Sequence, residues 1–150
     1  MRNILTLFVL LIFIGFVKAS PIGKGLYCNE ELLDFTNFEN FRGIFFESND
    51  LVRVVGFKNK NNSLKIISKT TPYKISDDKI KFKIKFIWYG NISFENFSLK
   101  RQNLELSHTS NNKILKMKCE IVKGNFMSQM NNLKLKFQSD FDTKLQSDNI

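Results

Sequence analysis

Histidine is almost missing from this chain, since His108 is the only one among 150 residues. A Ser-His-Asp or Cys-His nucleophilic site would have to use that residue, and no Gly-x-Ser-x-Gly motif surrounds any serine. His108 lies where a predicted strand meets a predicted loop, so we expect a solvated surface side chain. The shortage of histidine therefore weighs against nucleophilic catalysis.

Acidic pairs and glycine-rich loops are also scarce. Glycoside hydrolysis needs two carboxylates, and Asp77-Asp78 is the only adjacent acidic pair in the region that we predict to be β. A turn explains this pair better, because adjacent strand residues point to opposite faces. The seven glycines form no phosphate-binding loop. We therefore expect a protein that is not an enzyme and uses no cofactor.

Only two cysteines occur, Cys28 and Cys119. Metal sites need clustered Cys and His at short spacings, which this chain does not provide, so we expect no metal site. An exported protein with an even number of cysteines most simply forms disulfides, and the sequence therefore predicts a Cys28–Cys119 bond. In a chain-entropy description, closing so long a loop stabilises a fold by about 4–5 kcal/mol.

The longest apolar run lies at the N-terminus, from Ile4 to Val17. It is shorter than the roughly 20 residues that span a bilayer. Arg2 precedes it and the segment 18–20 (Lys-Ala-Ser) follows it, which completes the three parts of a secretory signal. We predict that residues 1–19 are removed after Ala19, which leaves a secreted or periplasmic chain with no transmembrane segment.

Acidic residues are outnumbered, because 14 Asp and Glu stand against 23 Lys and Arg, a net charge of +9. Loss of Arg2 and Lys18 with the signal peptide would lower that charge by two units. A basic surface attracts nucleic acid, anionic lipid or acidic glycans. A/T-rich codons, which encode Lys, Asn, Ile and Phe, account for the same composition without an anionic partner, so the charge alone leaves both explanations open.

From Arg42 onward, short apolar runs recur at roughly ten-residue intervals between turn residues, a spacing typical of an all-β domain. The stretch 59–63 is predicted as a loop. Thr71-Pro72 interrupts one run, and because Pro lacks the donor of a central strand we expect 71–75 to lie at an edge or between strands. The predicted strands cover 42–48, 51–58, 64–68, 79–88, 97–101, 104–108 and 113–122.

The run 79–88 carries the clearest pattern in the chain. Its lysines and apolar residues alternate, which puts them on opposite faces of a strand. One interpretation is a polyanion-binding stripe, since alternate strand residues lie about 6.6–6.8 Å apart; the other is a solvated face that deters aggregation. The aromatic residues fall on the buried face, which disfavours nucleic acid as a partner. The lysines are Lys79, Lys81, Lys83 and Lys85, and the apolar face carries Ile80, Phe82, Ile84, Phe86 and Trp88.

After Gly124 the apolar spacing becomes that of an amphipathic helix. We predict a helix over 126–138 with Asn125 as its N-cap, packed on the sheet or over a barrel mouth. The run 31–41 is ambiguous between helix and turns. The helical stripe consists of Phe126, Met130, Leu133, Phe137 and Phe141.

About eight short strands and one C-terminal helix predict a mainly β fold, a small antiparallel barrel or sandwich that is loosely like a lipocalin calyx. A flat two-layer α+β sheet is the alternative. We divide the chain into a signal peptide (1–19), an N-terminal segment tied by Cys28 (20–41), an antiparallel β domain (42–122), and a C-terminal helix and tail (123–150).

Three N-glycosylation sequons begin at Asn61, Asn91 and Asn96. All three fall in predicted loops or turn flanks, where a eukaryotic host could attach glycans. In a chain so rich in asparagine this number of matches is near what chance supplies, so the sequons indicate no particular host.

Four short motifs in the mature region resemble small exported proteins of low-GC, marine-type bacteria. They are Gly-Lys-Gly-Leu-Tyr-Cys (23–28), Gly-Ile-Phe-Phe-Glu (43–47), Leu-Lys-Arg-Gln-Asn-Leu-Glu-Leu (99–106) and Lys-Cys-Glu-Ile-Val (118–122). In that group the third motif more often has the pattern Asn-Arg-x-Thr-Leu-x-Leu, from which Lys100 and Asn103 depart. The resemblance implies no activity and no named functional family, and it favours a Gram-negative periplasm.

Two hypotheses about function remain. The first is a non-catalytic binding or accessory protein of the periplasm or extracellular space, which holds a small apolar ligand or an envelope protein in a β-calyx. The second is a basic secreted protein that binds an anionic partner, either a polyanion, an anionic lipid surface or a host protein. A large apolar pocket between sheet and helix would favour the first, and a contiguous lysine patch on a filled core would favour the second.

Overall fold

The computed structural model of the chain describes residues 20–30, 40–88, 91–110 and 113–147. The predicted signal peptide and most of the ambiguous run 31–41 lie outside the described residues, as do the side chains of Phe86 and Trp88.

Eight antiparallel strands form one closed sheet, in which each strand pairs with the next and the last pairs with the first. This is the order of an up-and-down barrel. The predicted barrel is confirmed, and the sandwich and the flat sheet are wrong. The strands are β1 (Gly25–Asn29), β2 (Arg42–Phe46), β3 (Leu51–Lys60), β4 (Ser63–Ser76), β5 (Lys79–Trp88), β6 (Asn91–Lys100), β7 (Glu105–Ser110) and β8 (Lys113–Ile121).

The inward faces of the strands meet in a continuous apolar core. On β5, Ile80, Phe82 and Ile84 are buried, whereas the lysines between them are exposed. This confirms the period-two alternation for the described side chains. The other buried members of the core are Leu26, Cys28, Ile44, Phe46, Val52, Val54, Tyr73, Phe97, Leu99, Leu106, Met117 and Cys119.

The predicted disulfide is confirmed at the seam that closes the barrel. Cys28 on β1 lies directly opposite Cys119 on β8, with an S–S distance of 2.02 Å. Both residues are buried. The bond therefore joins the first described strand to the last, across the pairing that closes the barrel.

Several strands are longer than the sequence pattern predicted. The predicted loop 59–63 is a two-residue turn at Asn61 and Asn62, with φ values of 52° and 58°. Positive φ at both central residues is typical of the type I′ turn of tight hairpins. β6 begins at Asn91 instead of residue 97, β7 continues to Ser110, and β1 had not been predicted as a strand.

β4 continues through Pro72, so the predicted alternative that 71–75 lies between strands is wrong, whereas Pro72 itself lies at a local edge, where β4 does not pair with β5. The N–H of Tyr73 donates to the Asp50 carbonyl on the β3 side at 2.8 Å, and alternation therefore turns the nitrogen of Pro72 toward β5. The register between β4 and β5 accordingly starts at Tyr73. The Thr71 hydroxyl replaces the missing donor, because it donates to the Lys83 carbonyl at 2.7 Å.

The helix α1 (Phe126–Ser147) packs on the outer face of β1–β4, as predicted for packing on the sheet, and extends beyond its predicted end at residue 138. Asn125 is its N-cap, since Oδ1 accepts the N–H of Ser128 at 2.9 Å. Gln138 fixes the helix to β4 by accepting the N–H of Leu64 at 2.6 Å. The buried core under the helix consists of Phe41, Val55, Phe57, Leu64, Val122, Phe126, Met130 and Phe137.

Two glycines let the helix approach the sheet closely. A Cβ atom on Gly25 would lie 2.6 Å from the Phe126 ring, and one on Gly43 would lie 2.7 Å from the Met130 sulfur. Any larger residue at these positions would displace the buried side chains of α1. The outer face of β1 and β2 is therefore shaped to receive the helix, which leaves the outer faces of the later strands to form other surfaces.

Candidate functional site

The lysines of β5 form an outward row, as the sequence predicted. Lys81, Lys83 and Lys85 are exposed, whereas Lys79 at the start of the strand is half-buried. Lys79 lies opposite Lys100, whose ammonium group forms an ion pair with a neighbouring carboxylate on β7 at 3.0 Å. The predicted stripe is therefore continuous over three lysines, whereas Lys79 lies beside an ion pair.

A groove of about 510 Å³ lies on the outer face of β4–β7 and includes part of this row. Three lysines contribute to it, Lys81 and Lys83 from β5 and Lys74 from β4. No carboxylate is among the described residues that line it. Pro72, Phe82 and Phe97 also line it, and most of the exposed surface of the lining is apolar. We call it the basic groove; its polar residues are Lys74, Ser76, Lys81, Lys83, Asn96, Ser98, Ser107 and Thr109.

The charges in the basic groove are not neutralised by acidic neighbours. Lys74 and Lys81 occupy directly opposite positions on β4 and β5, an arrangement in which like charges destabilise a sheet. None of the ion pairs in the described part of the chain includes Lys74, Lys81 or Lys83. A bound anion would relieve the repulsion between these ammonium groups.

One exposed aromatic side chain accompanies the lysines. The Lys83 ammonium group lies 3.9 Å from the centroid of the Phe94 ring, and Phe94 is 45% exposed. A cation over an aromatic face is attracted by the ring quadrupole. The sequence pattern does not predict Phe94 beside the lysines, because 91–96 was not predicted as a strand. Phe94 and Phe97 are three residues apart, so strand geometry sends them to opposite faces.

The three sequons occupy different settings. Asn61 is exposed in the turn between β3 and β4, and Asn91 is the first residue of β6, as predicted for loops and turn flanks. The prediction is wrong for Asn96, which lies within β6, opposite Lys83 and in the lining of the basic groove. β6 starts earlier than predicted, which places Asn96 in its middle.

His108 is buried inside the barrel, so the prediction of a solvated side chain is wrong. It is 8% exposed, because β7 extends past it to Ser110. Its ring stacks on Phe97 with centroids 4.6 Å apart, and Nε2 lies 3.1 Å from a carboxylate oxygen of Glu95. Burial raises the pKa of Glu95, but the contact with His108 and the charges of His108 and Arg42 outweigh it, and the net pKa is lowered.

Within 20–30, 40–88, 91–110 and 113–147, no group of His, Cys, Asp and Glu is placed to hold a metal ion. In the same ranges, no helix is both long and apolar enough to cross a membrane. No protein-family model, curated protein or solved structure matches the chain.

Proposed function

We propose that the protein is exported and acts without catalysis, by binding an acidic glycan in the basic groove. The observation that carries the proposal is the lining of this groove, in which Lys74, Lys81 and Lys83 stand among hydroxyl and amide side chains with no described carboxylate. Ammonium groups suit the carboxylate or sulfate groups of an acidic sugar. The neighbouring hydroxyl and amide groups match the sugar hydroxyls.

The shape of the groove favours a chain of sugars over the other anionic partners. Its volume of about 510 Å³ lies within the range of small-ligand sites. Single-stranded nucleic acid needs aromatic faces on which bases stack. Phe94 has one face occupied by Lys83, which supports a ligand bound by charge and hydrogen bonds.

The packing of the barrel supports a site on its outside. Aromatic and aliphatic side chains form one buried cluster in the described interior, in which Phe82 stacks on Phe97 with centroids 5.0 Å apart. A calyx that holds an apolar ligand would need the space that this cluster takes up. A lysine-bearing surface on a packed core is the arrangement expected of a protein that binds an anionic partner.

We also propose that the chain is exported to the periplasm or the extracellular space. Residues 1–19 act as the cleaved signal peptide, and the Cys28–Cys119 bond is of the kind that persists in oxidising compartments. The periplasm and the extracellular space both provide such conditions and both expose a protein to acidic glycans.

Calorimetric titration of the mature chain with two probes tests the proposal, a short heparin fragment for sulfate and a polygalacturonate oligomer for carboxylate. We expect binding that weakens as salt is added. The triple variant Lys74→Ser, Lys81→Ser, Lys83→Ser should lose about tenfold or more in affinity, because each exposed charge pair contributes up to about 1 kcal/mol.

The matched control removes the same charge from elsewhere, by Lys65→Ser, Lys123→Ser and Lys144→Ser, which are all exposed. The proposal predicts near-native affinity for this control. Equal losses in the two triple variants would show a general charge effect and contradict a defined groove. Tighter binding to single-stranded DNA or to phosphatidylserine vesicles than to either glycan would contradict the proposal and identify that molecule as the partner.

A further inference from the structure

Two lysines of the basic groove stand directly opposite each other. Lys74 on β4 is in register with Lys81 on β5, and both side chains are exposed. Directly opposite residues of antiparallel strands have Cα atoms about 4.5–5.5 Å apart. Their ammonium groups are therefore close enough to hold one ligand group between them. We call Lys74 and Lys81 the lysine pair.

The next lysines along β5 do not form such a pair. Lys83 lies opposite Asn96, and its ammonium group lies 3.9 Å from the centroid of the Phe94 ring. Lys85 lies opposite Phe94 and does not line the groove. Among the described residues that line the groove, the lysine pair is therefore the place where two cations face each other across the sheet.

Hydroxyl groups continue from the lysine pair across the sheet. Ser98 on β6 lies opposite Lys81, and Ser107 on β7 lies opposite Ser98. With Lys74 they form one outward row from β4 to β7. The lining residues of β6 and β7 are uncharged, so a ligand anchored at the lysine pair can place its own hydroxyl groups over them. They are Asn96, Phe97, Ser98, Ser107 and Thr109.

From this arrangement we propose that the lysine pair binds a phosphate monoester, so that the ligand of the basic groove is a phosphorylated sugar. It is the acidic glycan of the proposed function, on which this inference rests, with phosphate as its acidic group. A phosphate monoester carries a charge of about −1.5 to −2 at neutral pH and has three acceptor oxygens. It can therefore accept a hydrogen bond from each ammonium group and neutralise both charges. A carboxylate or a sulfate ester brings one negative charge to two cations.

NMR titration of the isotope-labelled mature chain with glucose-6-phosphate and glucose-6-sulfate tests this inference, because the two sugars differ only in the acidic group. Near neutral pH we expect the phosphate to bind about tenfold more tightly, since its second charge meets a second exposed ammonium group. Chemical-shift changes should centre on Lys74, Lys81 and Ser98. Inorganic phosphate should bind more weakly than the sugar phosphate, because it does not reach the hydroxyl groups of β7.

The pH dependence of binding gives an independent readout. The second pKa of a phosphate monoester is about 6, so the dianion is lost as the pH falls from about 7.5 to about 5. Binding of glucose-6-phosphate should weaken over this range until it approaches that of glucose-6-sulfate, which keeps one charge throughout. The titratable groups of the groove lining are Lys74, Lys81 and Lys83. His108 is buried on the inner face of β7, and the sulfate controls for its titration.

Two double variants separate the lysine pair from the general charge of the surface. Lys74→Gln with Lys81→Gln removes the pair and should give the two sugars equal affinities. Lys83→Gln with Lys85→Gln is the matched control, because it removes two exposed lysines of the same strand that lie opposite uncharged residues of β6. Both sugars should bind this control more weakly, yet the phosphate should keep its advantage of about tenfold. All four side chains are exposed, so neither variant disturbs the core.

Equal affinities of the native chain for the two sugars, no change with pH, or an unchanged phosphate preference after loss of the lysine pair would overturn the inference. Equal binding of inorganic phosphate and glucose-6-phosphate would overturn it as well. If heparin binding still depends on Lys74, Lys81 and Lys83 in that case, the proposed function stands without a phosphate site. Loss of that dependence contradicts the proposed function itself, so the two failures are distinguishable.

Discussion

At the scale of single residues, the alternation along β5 decides which substitutions cost stability. Phe82 is 5% exposed and stacks on Phe97, whereas Lys81 beside it is exposed. We expect Phe82→Ala to lower the free energy of unfolding by about 3–5 kcal/mol, because it leaves a large cavity. Lys81→Ala should change it by less than about 0.5 kcal/mol. Urea denaturation measures both, and similar losses would contradict a one-sided strand.

The contact between half-buried Glu95 and buried His108 predicts an acid-dependent loss of stability. The pKa of Glu95 is lowered from 4.5 in the folded chain, so its ionised form stabilises the fold at pH values above the ordinary pKa. That contribution disappears as the pH falls toward the folded-state pKa. We expect Glu95→Gln to be less stable than the native chain at neutral pH.

The measurement is urea denaturation from about pH 7 down to about pH 3, the range over which an ordinary carboxyl titrates. The free energy of unfolding of the native chain should fall more steeply below about pH 5 than that of Glu95→Gln. Parallel profiles would show that the carboxylate does not contribute in this way.

At the scale of elements, the pairing of β4 with β5 depends on a hydrogen bond from a side chain. The Thr71 hydroxyl donates to the Lys83 carbonyl, where Pro72 has no N–H to offer. Thr71→Val keeps the branched shape and removes this donor, so we expect a loss of about 1 kcal/mol in the free energy of unfolding. Thr70→Val is the matched control, since Thr70 is exposed and its hydroxyl makes a longer hydrogen bond, of 3.4 Å, to the Glu47 carboxylate, and it should change stability by less than about 0.5 kcal/mol. A larger loss of unfolding free energy for Thr70→Val than for Thr71→Val would show that the pairing of β4 with β5 does not need this hydrogen bond.

The same elements show which features the sequence could predict. Lys79–Trp88 has the predicted strand bounds, and its described side chains alternate as predicted, because ten alternating residues give a strong period-two signal. β1 escaped prediction because its five residues are too few for a period, and it is a strand because β2 and β8 pair with it. β4 tolerates Pro72 because its pairing with β5 begins only at Tyr73, so no backbone N–H is needed at Pro72.

The candidate site was predicted only in part, because its residues come from several strands. Lys81 and Lys83 follow from the pattern of one strand, but Lys74 joins them through the register between β4 and β5. Thr109 and Ser107 join from β7, which pairs with β6. Such cross-strand neighbours depend on register, which turn geometry and tertiary packing set, so no single segment could reveal the groove.

At the scale of the whole molecule, the Cys28–Cys119 bond holds the barrel closed. We expect Cys28→Ala with Cys119→Ala to lower the free energy of unfolding by up to about 4–5 kcal/mol, as the chain-entropy description gives for so long a loop. Amide hydrogen exchange should accelerate most at β1 and β8, and least at β5 and β6, which have the longer register. Unchanged stability, or uniform acceleration in all strands, would contradict a role at the seam.

The central claim for the whole molecule is that one outer face, on β4–β7, binds an acidic glycan. The most direct measurement is an NMR titration of the isotope-labelled mature chain with a short heparin fragment. We expect chemical-shift changes to concentrate at Lys74, Lys81, Lys83, Asn96 and Ser98, with little change along α1. Changes spread over every exposed lysine, changes confined to α1 and β8, or no changes at low salt would contradict it.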